Sequence, residues 1–352
     1  MCFNHTASAV KVPAHIDTPS QHDTLYAAKH MTKKILFVTA GIAALIIIIF
    51  SIRSLIQTTQ ISEPENAIQN TNGVLHIVDL DDVLSGGPDR DAIPPINDPS
   101  FQNVQEAEGT VADTDSGVAI QIGSKNRFYP LHILAWHEVI NDRMSDTSFV
   151  VTYSPLTASA AVFNSTVDGN TLVFGNTGKL WDSNSVLYDK STESEWSQIL
   201  GKAIIGPKSG TQLTQIPSVV QTYGSWKNQH PKGEVLTQPT DTNFDYSRDP
   251  NQSYYENDQL FFPALHKDTR LSAKTTVFGV QIGEREKAYP LKTLQQHNSL
   301  SDGMSGFLYT INYDTKSGAI TITANAPDAP IKTMQTYWFA WVGAFPNTSL
   351  YN

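Results

Sequence analysis

The sequence predicts a β-rich α+β protein in which two related, β-dominated modules follow one N-terminal transmembrane helix. Short runs of β-branched and aromatic residues recur along the chain, and the helical patterns between them are brief. Residues 121–153 are also repeated at a constant offset of 160, because they align without a gap on residues 281–313 with twelve identical positions. The identities include the pairs Tyr129/Tyr289, Pro130/Pro290, His137/His297, Asp142/Asp302 and Tyr153/Tyr313.

An apolar segment near the start of the chain predicts the membrane helix. Residues 35–52 contain no charged side chain, and this length is close to the roughly 20 residues that cross a bilayer. We therefore expect an uncleaved anchor over residues 31–56, preceded by a tail (1–30) that is either disordered or precedes the true start at Met31. Lysines cluster before the segment, so we expect the N-terminus in the cytoplasm and the residues after the anchor outside it. The sequence thus predicts a single-pass plasma membrane protein.

The remaining chain divides by composition. Residues 57–72 are polar and have the character of a flexible linker. A first module with a loop-rich extension is predicted over residues 73–262, and a second module over residues 263–352. Two helices are expected in the first module: Leu131–Trp136, which begins after Pro130, and Glu193–Leu200, which begins with a capping-box pattern.

Charge and cysteine content exclude several classes of function. The formal net charge is -10 and no cluster of Lys and Arg follows the anchor, so no nucleic-acid partner is expected. Cys2 is the single cysteine of the chain. The extracytoplasmic part can therefore form no internal disulfide, thiolate metal site or thiol nucleophile.

His137 is the leading candidate for a chemical role, because a neutral imidazole can bind a metal ion or act as a base. Glu138, Asn141 and Asp142 follow it closely, and Ser154 would approach it if the next turn folds back. The spacing does not match His-Glu-x-x-His or another zinc pattern. A structural histidine, a metal ligand and a catalytic base therefore remain three alternatives.

Five segments in order resemble a bacterial and archaeal domain-of-unknown-function family, number 3179. They are VLSGGPDRDAIPPINDP, YPLHILAWHEVIND, TYSPLTASAAVF, FGNTGKLWDSNSVLYDKSTESEWSQ and WFAWVGAFPNTSLY. The resemblance extends from about Gly73 to Tyr351. It implies no established activity.

The resemblance draws attention to the turn of residues 154–158. In that family this turn usually reads Cys-Pro-Leu-Cys-Gly or Cys-Pro-Leu-Thr-Gly, sometimes with selenocysteine, which implies redox or metal chemistry. Ser154, Thr157 and Ala158 replace the two thiols and the glycine here. Because a hydroxyl does not cycle between oxidation states, we expect a member without thiol redox activity.

A pocket near this turn would be lined by a polar and aromatic set of residues. The resemblance places Asp182, Asn184, Trp196 and Gln198 there, and the ligand-binding candidates are completed by Glu138, Asn141 and Tyr153.

Three functions follow from these patterns. The preferred one is a membrane-anchored extracytoplasmic domain that binds a small ligand or a metal ion. The second is a hydrolytic or metal-dependent enzyme that uses His137, Asp142 and Ser154. The third is a structural or interaction module at the cell surface, in which His137 is a core residue.

Overall fold

A computed structural model describes residues 67–240 and 242–351 of the chain. The predicted tail (1–30), the predicted anchor (31–56) and most of the predicted linker (57–72) therefore lie outside the described residues. The described part belongs to one compact unit, Asn66–Asn352. Of its helices, none is both long and apolar enough to span a bilayer.

Short strands dominate the fold, as the sequence predicts. The strands before residue 165 are β1 (Gln69–Thr71), β2 (Val74–His76), β3 (Val83–Ser85), β4 (Phe101–Asn103), β5 (Ser116–Ile122), β6 (Lys125–Pro130), β7 (Val139–Met144), β8 (Thr147–Ser154) and β9 (Ser159–Asn164). Those of residues 166–236 are β10 (Thr166–Val167), β11 (Asn170–Thr171), β12 (Phe174–Trp181), β13 (Asn184–Asp189), β14 (Glu195–Ser197), β15 (Lys202–Ile205), β16 (Gln215–Ile216), β17 (Ser218–Thr222) and β18 (Glu234–Leu236).

The later strands and the α-helices of the described residues complete this list. The strands are β19 (Thr276–Ile282), β20 (Arg285–Pro290), β21 (Ser299–Met304), β22 (Phe307–Tyr313), β23 (Ile320–Ala324), β24 (Ile331–Tyr337) and β25 (Ser349–Leu350). The helices are α1 (Leu131–His137), α2 (Tyr223–Gln229), α3 (Gln252–Tyr255), α4 (Leu291–His297) and α5 (Trp338–Ala344).

Five main sheets result from the pairing of these strands. The largest has the order β1-β2-β15-β14-β13-β12-β3, and the earlier part of the chain adds β16-β9-β8-β7 and β17-β5-β6-β18-β4. The later part forms β24-β19-β20-β25 and β21-β22-β23. Almost all pairings are antiparallel, so short turns suffice to connect most neighbours.

The largest core cluster joins the seven-stranded sheet to helix α5. Trp196 and Phe174 of the sheet are fully buried in this cluster, together with Trp338 and its neighbours on α5. The aromatic residues near the C-terminus therefore pack in a core. Aromatic side chains bury the largest apolar area per residue, which is why this short helix holds its place.

Of the two helices expected in the first module, one is confirmed and one is wrong. Helix α1 begins after Pro130 as predicted, one residue longer at its C-terminal end. Residues 193–200 form no helix: Glu195–Ser197 is strand β14, paired with both β13 and β15. The Thr192 hydroxyl donates to Asp189 instead of capping a helix. Burial of Trp196 between two strands outweighs a weak local helical preference.

Candidate functional site

Glu138 occupies an unusual backbone position at the end of helix α1. Its φ angle is 57°, in the left-handed region that favours glycine or asparagine after a helix. Helix α4, which ends 160 residues later at His297, is followed by Asn298 in a similar conformation, with φ 58°. Asparagine is the expected residue for such a helix end, whereas glutamate is not. This position therefore carries a side chain that the local backbone does not favour.

A chain of hydrogen bonds links Glu138 to the turn of residues 154–158, called the motif turn below. The Ser185 hydroxyl on β13 donates to Glu138 Oε2 at 2.7 Å. Ser154, fully buried at the end of β8, has its Oγ 3.1 Å from Ser185 Oγ and accepts from the Ser185 amide at 3.1 Å. Ser185 thus lies between Ser154 and Glu138 and joins the three side chains in one hydrogen-bonded chain.

Burial places the carboxyl of Glu138 near its titration point at neutral pH. Loss of solvent raises the pKa of Glu138 to about 7 from an ordinary 4.5, and the Ser185 hydrogen bond opposes this effect only in part. No cation enters among the causes of this pKa. Buried charges in proteins are normally paired, so this carboxylate is an exception within the described residues.

Glu138 and Ser185 line a cavity of about 190 Å³. Its wall is formed by the loop after β3, the motif turn, strands β12 and β13, and the 251–262 region. Besides Glu138 and Ser185, the lining residues are Gly86, Pro88, Asp89, Ile93, Pro155, Leu156, Asn176, Gly178, Lys179, Leu180, Val186, Asn251, Phe261 and Phe262. Most of these side chains are apolar, which is typical of a ligand site with a few polar anchors.

Asn184 and Gln198 form a buried polar network behind the motif turn. The Asn184 amide donates to the Thr157 hydroxyl at 3.0 Å and to Gln198 Oε1 at 2.8 Å, and Ser159 donates to the same Gln198 oxygen. Asn184 Oδ1 accepts from the Ile199 amide. All four side chains are almost completely buried. With its hydrogen-bonding capacity used internally, this network holds the turn in position.

His137 lies in the core with both ring nitrogens engaged. Nδ1 donates to the Pro94 carbonyl oxygen at 2.7 Å, and Nε2 accepts from the Tyr246 hydroxyl at 2.6 Å. The ring also packs on Tyr246 and against the edge of Phe244. These contacts favour the structural alternative, because a metal ligand or base needs one nitrogen lone pair directed at its target.

Asp142 lies at the far end of β7 and pairs with a different set of residues. It accepts hydrogen bonds from Arg127 at 2.7 Å and from the Tyr129 hydroxyl. In the second half Asp302 accepts from Lys287 and Tyr289 in the same way. His137, Asp142 and Ser154 thus contact three separate sets of partners and do not form a Ser-His-Asp arrangement.

Asn141 and Trp196 serve packing. Asn141 forms a two-way clamp with the backbone of Phe174, donating to its carbonyl and accepting from its amide at 2.8 Å each. Trp196 is fully buried and donates from its indole nitrogen to Asp189. Neither side chain lies on the wall of the Glu138 cavity.

Tyr153 and Asp182 are buried ionisable groups, and neither lines the Glu138 cavity. Burial raises the pKa of Tyr153, whose hydroxyl lies 3.4 Å from that of Tyr255. Burial also raises the pKa of Asp182 to about 6, although its Oδ1 accepts from the Leu265 amide. A Cβ atom at Gly343 would fall on the other Asp182 oxygen, so helix α5 approaches this turn too closely for a larger residue. A ligand could not reach that oxygen without moving α5.

Metal binding finds no ready donor set in the part of the chain that the structure describes. Residues 67–240 and 242–351 contain no group of three or more His, Cys, Asp and Glu side chains placed to hold a metal ion.

Comparison with known families identifies the chain. The model of a family described as "Protein of unknown function (DUF3179)" matches residues 90–329. The chain belongs to the DUF3179 family. No curated protein and no solved structure matches it. The family that the sequence resembles is thereby confirmed, and the matched region of this DUF3179 protein includes Glu138, Ser154 and Ser185.

The main residue that the sequence analysis of this DUF3179 protein missed is Ser185. It stands beside the predicted Asn184, but no motif distinguishes its hydroxyl from those of the other serines in that segment. Its side chain points to the opposite face of β13, toward Glu138, because successive residues in a strand alternate faces. The alternation of side chains along a strand can be predicted from the sequence, but the contact between Ser185 and Glu138 cannot.

Proposed function

We propose that this DUF3179 protein binds a small ligand in the cavity that contains Glu138, and that it does so without thiol redox chemistry. One observation carries the proposal: a carboxyl group that has no cationic partner among residues 67–240 and 242–351 lines a largely apolar cavity. Fully apolar walls would suffice for packing, so a partly buried carboxyl group in this wall favours a role in ligand binding.

The membrane anchor, the absence of thiol chemistry and the two related modules are also part of this proposal. The uncharged segment 35–52 supports a single-pass anchor in the plasma membrane, with the N-terminus in the cytoplasm and the ligand site outside. Ser154 and Thr157 in place of thiols support the absence of thiol chemistry. The pattern of two related modules is supported by β5 and β19, which begin at Ser116 and Thr276, 160 positions apart.

Small-ligand binding is preferred over the two alternatives because of the hydrogen bonds that His137 and Ser154 already form. A metal ion at His137 would have to displace Tyr246 or Pro94. A hydrolytic enzyme would need His137 to reach Ser154, whereas Ser154 is engaged with Ser185. A purely structural role explains His137 and Asp142, but it does not explain the unpaired carboxyl of Glu138.

A screen with a blocked cavity tests the proposal. The full-length protein in lipid nanodiscs is exposed to mixtures of small amines, alcohols, acids and aromatic compounds, and binding is detected by saturation-transfer NMR. Leu156→Trp fills the cavity, since Leu156 lines it, and Leu308→Trp is the matched control on an exposed site. We expect compounds that bind the wild type and Leu308→Trp but not Leu156→Trp. Equal signals from all three proteins would contradict a ligand site in this cavity.

A further inference from the structure

We infer that the ligand of the Glu138 cavity is a small organic amine, held as an ammonium ion by the Glu138 carboxylate. The inference rests on the proposed function and adds the chemical class of the ligand. It depends on the hydrogen bonding of Glu138, on its backbone conformation and on the composition of the cavity wall.

The hydrogen bonding of Glu138 leaves acceptor capacity for a ligand. Within the described residues the carboxylate accepts one hydrogen bond, from Ser185 to Oε2. A carboxylate has about four acceptor positions, so most of its capacity is unused. The basic side chain on the cavity wall, Lys179, has its ammonium 2.6 Å from Glu195 and is thus held by another partner. A cationic donor from a ligand would supply the missing pair.

The backbone at Glu138 indicates that the carboxyl is retained at a cost to the fold. The left-handed conformation is unfavourable for most residues, and asparagine or glycine tolerate it best. Asn298 shows that this fold accepts asparagine at the matching helix end. Strained positions with locally unfavourable residues are concentrated at functional sites. The feature that glutamate adds over asparagine here is a carboxylate that reaches Ser185 and the cavity.

The rest of the cavity wall favours a cation with an apolar body. Asp89 contributes a second carboxylate, while the Lys179 charge is already engaged with Glu195. Phe261 and Phe262 add aromatic rings, which attract cations through their faces. An anionic ligand would meet two carboxylates and is disfavoured. The apolar majority of the wall would cover a short hydrocarbon or aromatic group.

The cavity volume limits the size of the ligand. A cavity of about 150 Å³ accommodates benzene in a well-studied protein interior. The 190 Å³ here leaves room for a ring with one short substituent. Benzylamine, benzyl alcohol and benzoate therefore form a matched set of probes that share one ring and differ in the charge of the substituent.

Isothermal titration of these three probes tests the inference. The full-length protein in lipid nanodiscs is titrated at pH 8, with empty nanodiscs as the blank. A charge-assisted hydrogen bond is roughly twice as strong as a neutral one, so we expect benzylamine to bind about tenfold or more tightly than benzyl alcohol. Glu138→Gln keeps the side-chain length but removes the charge, and should abolish the preference. Glu284→Gln, an exposed change outside the cavity, should retain it.

The possible results separate the inference from the proposed function. Equal binding of benzylamine and benzyl alcohol overturns the amine assignment but leaves a small-ligand cavity in place. Tightest binding of benzoate overturns it in favour of an anion. Benzylamine preference that survives in Glu138→Gln assigns the charge recognition to another residue and overturns the role of Glu138. Absence of binding by all three overturns the amine inference, while the broader screen with Leu156→Trp still decides the proposed function.

Discussion

Replacing Glu138 by glutamine should stabilise the protein at pH 8 and leave its stability nearly unchanged at pH 4.5. The folded pKa of about 7 lies above the ordinary value of 4.5, so the native state binds this proton more tightly than the unfolded state does. The contribution of Glu138 to stability is fully present below pH 4.5. It is lost as the pH rises to about 7, and above that the buried charge destabilises the fold.

The magnitude follows from the two pKa values. A change from 4.5 to about 7 corresponds to at most about 3 kcal/mol at pH 8. Glu138 keeps some solvent contact, and solvent screens part of this effect. We therefore expect Glu138→Gln to raise the free energy of unfolding by ~1–2 kcal/mol at pH 8. Glutamine retains an oxygen that can accept from Ser185, so the hydrogen bond itself is preserved.

Urea denaturation at pH 4.5, 6, 7 and 8 measures this difference. Comparison of variant with wild type at each pH cancels the titration of all other groups. Glu284→Gln is the control, because Glu284 is exposed and should show no such trend. Compared with Glu138→Gln, Glu138→Asn should raise the free energy of unfolding by a further amount of about 0.5–1 kcal/mol at every pH, because asparagine relieves the left-handed backbone. Loss of the Ser185 contact reduces this gain. A stability difference for Glu138→Gln that is the same at pH 4.5 and pH 8 would refute the reasoning.

The remaining predictions concern the other candidate residues. Elemental analysis of the wild type and His137→Ala should find no stoichiometric copper, zinc or iron in either, whereas a metal that depends on His137 would restore the metal-binding alternative. Asp142→Asn should lower the free energy of unfolding in urea by about 1–3 kcal/mol because it removes one of the two carboxylates paired with the largely buried Arg127 and leaves only the more exposed Glu234, and a change below about 0.5 kcal/mol would contradict this. Asn184→Ala should cost about 2–3 kcal/mol in the same assay because it opens the buried network, and an unchanged midpoint would contradict that role. Ser154→Cys in a Cys2→Ala background should react with iodoacetamide much more slowly when native than when unfolded, since position 154 is fully buried; equal rates would show that it is accessible.

The fold was predictable where the signal was local. The β-rich composition, the helix after Pro130 and the buried aromatic segment at residues 337–345 all follow from patterns within a few residues. The strand at Glu195–Ser197 was not predictable in this way, because its capping-box pattern indicates a helix. There the pairing with the preceding strand β13 and the following strand β15 decides the conformation, and a pattern confined to residues 192–195 does not include those strands.

The site was predictable only in outline. The sequence drew attention to the motif turn at Ser154 and to Glu138, but it made His137 the central chemical group. The tertiary contacts reverse that emphasis. Both ring nitrogens of His137 have hydrogen-bond partners, whereas the Glu138 carboxylate accepts a hydrogen bond from Ser185 at one oxygen. A sequence lists which residues can donate or accept protons, but their availability depends on which partners the fold brings to them.

The sequence by itself determined the β-rich class, the family and the absence of a thiol at position 154, because residue identity and short-range periodicity are sufficient for each. Only the tertiary structure decided that Ser154, Ser185 and Glu138 join in one hydrogen-bonded chain beside a cavity. These three residues come from different strands and a helix end, and their contact depends on long-range pairing and burial. The pKa of Glu138 changes for the same reason, since desolvation is a property of the folded surroundings and not of the residue.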